Sequence, residues 1–168
     1  GWERFSILGH SLGGMIGLCA AGTLPLRILR AVSMDSLGPL TREAEQVPEA
    51  LGEALEQRHA YLTRAPRPLT DLQGAARFMR VANPALDQAA ALTLADRGTR
   101  STPQGLVWRA DPRLRTGSLL RLTEAQVQAF LGRVVCPVLI LKTRQGWPEV
   151  ANQIQRRLAY LPDARVVE

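Results

Sequence analysis

Cysteine is scarce in this chain and lysine all but absent. The two cysteines, Cys19 and Cys136, match no metal-ligand spacing, and each lies in an apolar stretch where a free thiol behaves as a small hydrophobe. No metal site or cofactor is therefore expected, and buried, reduced thiols are. Of the 21 basic residues all but Lys142 are arginine, and no run is longer than Arg156-Arg157. The formal net charge of +6 is spread from Arg4 to Arg165, without the aromatic-interleaved basic segment of a nucleic-acid binder. A solvated, arginine-rich surface and no nucleic-acid partner are expected. Long apolar runs are missing too. Gly, Ser and His interrupt the stretch from Phe5 to Ala21, so nothing approaches the roughly 18 residues of a membrane span. The expectation is a soluble, cytoplasmic protein without a membrane partner, while the oligomeric state is not legible.

What is present is enough apolar material, 46% of 168 residues, to bury a sizeable core. Four short apolar runs, Arg4 to Leu8, Ile28 to Met34, Pro137 to Lys142 and Ala164 to Val167, have the continuous character of buried parallel strands. A helix from about Leu12 to Ala21 and another starting at Pro148 and stopping before Pro162 lie between them. This alternation is an α/β pattern with a parallel sheet. It predicts core segments at 1–36 and 136–168, separated by an inserted helical cap at 37–135. The insertion shows no convincing strand and four or so helices. Thr70-Asp71-Leu72-Gln73 and Thr123-Glu124-Ala125-Gln126 read as capping boxes, and Asn83-Pro84 as the opening of a helix that Gly98 closes. Both ends read as cut, so flanking strands are expected outside these residues. Residues 1–168 alone are expected to aggregate or stay molten.

The chemistry concentrates at Gly9-His10-Ser11-Leu12-Gly13, a G-x-S-x-G pattern set between a strand and a small-residue helix. A serine hydroxyl becomes a nucleophile only when it is presented to a substrate, relieved of its proton and given donors for the resulting oxyanion. A strained strand-to-helix turn presents it. Gly9 and Gly13 are expected to remove side chains that would collide there, Gly13 and Gly17 to let the helix approach the sheet, and the Leu12 backbone N–H to be the first oxyanion donor. His10, adjacent to the nucleophile on a tight turn, points away from it and is expected only to support the site. Asp35 ends the strand beside the elbow strand. It either orients a catalytic imidazole or caps the loop beginning at Ser36. The stretch after the next strand, Lys142 to Pro148, holds no acid before Glu149, which favours Asp35. The base is the gap, since His59, the other histidine, lies in a charged helical stretch.

The runs "GWERFSILGHSLGGMIG", "VSMDSLG", "LADRGTRSTPQGLVWRADPRLR" and "VCPVLILKTRQGW", in that order over most of the chain, resemble the serine hydrolase-like proteins of the α/β-hydrolase superfamily. The pattern in the third run, with Arg97-Gly98-Thr99, Gly105-Leu106-Val107, Asp111, Arg113 and Leu114, is the narrowest part of the likeness. The resemblance implies an α/β-hydrolase fold with a helical cap, Ser11 as nucleophile, and a catalytic histidine after the last strand, beyond Glu168. Serine in place of aspartate separates the chain from the related epoxide hydrolases and dehalogenases. The implied function is hydrolysis of a small-molecule ester, thioester or similar acyl substrate. The alternatives are a non-catalytic binding module of the same fold, or an acyltransferase or cofactor-free haloperoxidase using the same triad. Arg97, Arg100, Arg109, Arg113 and Arg115 crowd the cap; an anionic substrate group is one reading, unpaired surface arginines the other.

Overall fold

A computed structural model describes residues 1–64, 68–144 and 146–168, with the Arg115 side chain also outside the described set. The chain divides into two compact units, one of residues 1–48 and 120–168 and one of residues 49–119.

The first unit is built on four parallel strands, β1 (Phe5–His10), β2 (Ile28–Met34), β5 (Val138–Leu141) and β6 (Ala164–Val167), in the order β1-β2-β5-β6. All four are the strands expected from the apolar runs. The helices α1 (Leu12–Thr23), α5 (Glu124–Leu131) and α6 (Pro148–Arg157) belong to this unit, and α1 fills the β1–β2 crossover. One side of the sheet is dry: Ile28, Ala31, Val138 and Ile140 pack with Leu18 and Ala21 of α1, Val127 and Leu131 of α5, and Ile154 of α6. The register pairs His10 with Met34, Met34 with Leu141, and Leu141 with Val167, so the strands end level at their carboxyl edge. The next residues extend the ladder. Ser11 N donates to Met34 O at 2.9 Å, Asp35 N to Leu141 O at 2.7 Å, and Lys142 N to Val167 O at 2.8 Å.

Behind that edge, the loop leaving β2 is held by a buried arginine. Arg157, wholly buried, donates from Nη1 to the carbonyls of Leu37 and Pro39, each at 2.8 Å, and from Nε and Nη2 to the Glu124 carboxylate at 2.8 and 2.6 Å. A buried guanidinium is tolerable only when its donors are matched this way.

In the second unit, α2 (Val47–Leu62) enters from the boundary and is followed by α3 (Leu72–Ala82), α4 (Gln88–Gly98) and a hairpin of β3 (Thr99–Thr102) and β4 (Gly105–Trp108). Ala75, Ala76, Ala91 and Ala95 make its small core. The sequence reading needs four corrections. A strand pair stands where none was expected, because β3, Thr-Arg-Ser-Thr, offers no apolar run; its turn closes through Gly105 at φ 124° and a Thr102 Oγ1 bond to Gly105 O of 2.7 Å. The cap of α3 is Asp71, which accepts from Gly74 N, rather than Thr70. α4 opens at Gln88 under an Asp87 cap, with Asn83 instead ending α3. Residues 37–48 and 120–135, expected in the insertion, pack with the sheet, to whose core they give Leu37, Val127, Leu131 and Val134. The capping box at Thr123 is present as expected.

The Arg157 bond holds the Glu124 carboxyl below its ordinary value of 4.5, against an opposing effect of burial. A depressed carboxylate contributes stability above its unfolded value and loses it as pH falls through the folded one. Thermal melts from pH 7 to 3 are therefore expected to show a loss below about pH 4.5 that Glu124→Gln removes, and that variant is less stable than the parent at pH 7.

Candidate active site

Ser11 sits in the one-residue gap between β1 and α1 at φ 50° and ψ −118°, a left-handed backbone that non-glycine residues avoid. Asp35, at φ 51°, is its counterpart beyond β2. Among the described residues these two are the only non-glycine positions with positive φ. They stand next to each other in the ladder order at the carboxyl edge, one step past the His10–Met34 pair.

Strain at Ser11 has a local consequence. A serine before a helix ordinarily accepts a bond from the first-turn N–H groups. Here the side chain makes no capping bond, and the residue is exposed, so the hydroxyl is left for other partners. Its carbonyl begins the helix by accepting from Met15 N at 3.0 Å. Leu12, the first residue of α1, carries one of the first-turn N–H groups that have no acceptor four residues earlier, as an oxyanion donor requires.

The glycines divide otherwise than expected. A Cβ on Gly9 would lie 2.3 Å from the carbonyl carbon of Gly13, so the strand end crosses the helix start at backbone distance. A Cβ on Gly13 itself meets none of the described atoms within 4 Å, so the expected collision there is absent, and of the Gly13–Gly17 pair only Gly17 lets the helix approach the sheet, an added Cβ falling 2.7 Å from Ile7 Cγ2 of β1. The other close approach falls to Gly14, whose Cβ would stand 2.3 Å from Ser33 Oγ and 2.4 Å from Ser36 Oγ. Sequence reasoning passed over those two serines. Both are buried, their hydroxyls are 2.8 Å apart, Ser33 Oγ donates to Ser36 O at 2.8 Å, and Ser36 Oγ donates to the Ser11 carbonyl at 3.0 Å. The pair brackets Asp35 and ties its turn to the elbow.

The half-buried Asp35 carboxylate meets the end of β5. Thr143 Oγ1 donates to its Oδ1 at 2.9 Å, with Thr143 N at 3.5 Å. His10 is an exposed β1 residue. His59 is exposed on α2, in the second unit, as its charged surroundings suggested. Of the crowded arginines, Arg109 donates to Thr99 O and Arg113 pairs with Asp111, while the Arg115 side chain lies outside the described residues. Among the described residues no helix is long and apolar enough to cross a membrane.

A parallel sheet whose G-x-S-x-G serine is presented at a strand-to-helix elbow defines the α/β hydrolase fold. The model of that family matches residues 1–168, and the chain belongs to it. A serine hydrolase-like protein of Dictyostelium discoideum is 31% identical over 146 residues, covering 83% of this chain and 40% of its own length. A probable serine hydrolase of Drosophila melanogaster is 27% identical, covering 86% and 45%. The chain thus spans less than half the length of the curated relatives it matches. The crystal structure of a hypothetical protein of Pseudomonas aeruginosa PAO1 superposes with a TM-score of 0.84 at 37% identity, over 99% of this chain and 59% of that one.

The two glycines separate in a melt. Gly14→Ala forces Cβ into two buried hydroxyls and is expected to cost about 1–3 kcal/mol, whereas Gly13→Ala, in open space on a helix, is expected to be neutral or stabilising by up to about 1 kcal/mol. Equal losses in Tm would contradict this packing.

Proposed function

We propose that this protein is a serine hydrolase acting on an ester, thioester or similar acyl compound through an acyl-serine intermediate. The observation that carries this reading is the Ser11 backbone. At φ 50° the residue pays conformational strain to withhold its hydroxyl from the helix cap, which has no purpose in a merely structural turn.

In this mechanism Ser11 Oγ bonds to the substrate carbonyl carbon as its proton passes to an imidazole. The Leu12 N–H holds the developing oxyanion, and collapse expels the alcohol or thiol, which leaves with that proton. Water then attacks the acyl-serine, again giving its proton to the imidazole, and the carboxylic acid departs as Ser11 is restored. The base is assigned to a histidine outside residues 1–168, because His10 sits on the strand one residue before the nucleophile and His59 on α2. Asp35 is assigned as the carboxylate that orients this imidazole and stabilises its charged form. The neighbouring strand ends and the shared strain of Ser11 and Asp35 support that assignment.

The test is a fluorophosphonate probe on the full-length protein, read by mass spectrometry, together with turnover of p-nitrophenyl esters. Stoichiometric labelling at Ser11, abolished in Ser11→Ala, is expected, with Asp35→Asn slowing ester turnover by about 10³- to 10⁴-fold. A folded protein left unlabelled would sink the hydrolase reading in favour of a binding module of the same fold.

A further inference from the structure

We propose that Thr143 is a positioning residue for Asp35, holding one carboxylate oxygen so that the other faces the base; this rests on the reading of Asp35 as the acid. Both polar atoms of Thr143 that can donate point to the same oxygen, Oδ1, the hydroxyl at 2.9 Å and the backbone N–H at 3.5 Å. Oδ2 takes neither bond. Gly146 also lies against this pair: its N donates to Thr143 O at 3.4 Å, and a Cβ on it would lie 2.9 Å from Asp35 Oδ1, 3.2 Å from Oδ2 and 2.4 Å from Thr143 Oγ1. A side chain at 146 would have to displace the Thr143 hydroxyl or the Asp35 carboxylate.

The chemistry of the partner matters as much as its place. An acid that stabilises an imidazolium must keep its charge and its direction together. A guanidinium or ammonium on Oδ1 would fix direction while cancelling charge. A neutral hydroxyl fixes direction and leaves the charge in place. The sequence's one lysine, Lys142, is engaged with Glu168 at 3.0 Å, and among the described residues Asp35 forms no ion pair. Threonine also loses little on being fixed, because its β-branch already restricts χ1.

The experiment measures the second-order rate of fluorophosphonate labelling at Ser11 in the full-length protein. Thr143→Val, which keeps the shape and deletes the hydroxyl, is expected to label about tenfold more slowly with an unchanged Tm, and Thr143→Ser to stay within about twofold of the parent. Thr143→Ala serves as a second hydroxyl deletion. The decisive background is Asp35→Gly, which removes the carboxylate and accepts the positive φ without strain. There Thr143→Val is expected to cost nothing more. Parent-like labelling of Thr143→Val, or the same tenfold loss in both backgrounds, overturns the proposal. Parent-like labelling of Asp35→Gly itself instead overturns the assignment of Asp35 as the acid, and the role of Thr143 with it.

Discussion

The site depends on one hydrogen bond, from the Ser36 hydroxyl to the Ser11 carbonyl, that joins two strained strand ends. Each hydroxyl has a single proton. With that of Ser36 committed to Ser11, the proton of Ser33 is shared between the carbonyl and the hydroxyl of Ser36, both 2.8 Å away. A left-handed non-glycine residue costs about 1–3 kcal/mol, and a buried hydrogen bond contributes about 1 kcal/mol net, more when its loss strands a partner. The serine pair is thus of the size needed to hold Ser11 and Asp35 where their own backbones resist. It fits only because Gly14 offers no side chain to the space the two hydroxyls fill.

A second layer keeps that pair in place. Arg157 reaches the carbonyls of Leu37 and Pro39, just after Ser36, and its remaining donors are matched by Glu124 at the start of α5 and by the Thr41 hydroxyl. The loop leaving β2 is therefore fixed at both ends, by the ladder bond at Asp35 N and by the buried guanidinium. The sheet sets the edge, the serines set the two elbows on it, and Arg157 stops the intervening loop from relaxing. Precision of this kind is what the proposed reaction needs from its scaffold, since Ser11 and Asp35, its proposed nucleophile and acid, come from different strands.

The sheet was legible because its strands are written as short, largely apolar runs, and all four such runs are strands although only one face of the sheet is dry. The elbow was legible because its glycine spacing is local. Which glycine bears the packing was not, since that depends on Ser33 and Ser36 arriving from another strand. Asp35 could be singled out as the end of β2, but its partner Thr143 lies far along the chain and becomes its neighbour only through the β2–β5 pairing. The hairpin at 99–108 escaped for a different reason: β3, Thr-Arg-Ser-Thr, is polar, whereas the equally short β5 and β6 carry apolar runs. An apolar-run criterion misses a polar strand whatever its length.

The central claim is that Ser11 and Asp35, strained on adjacent strand ends, are the nucleophile and acid of one site. A crystal structure of the full-length protein carrying a phosphonate adduct tests it most directly. The adduct is expected on Ser11 Oγ, with its phosphoryl oxygen at the Leu12 N–H and a histidine ring bridging Ser11 to Asp35 Oδ2. An imidazole directed to another carboxylate, or an adduct on another residue, would contradict it.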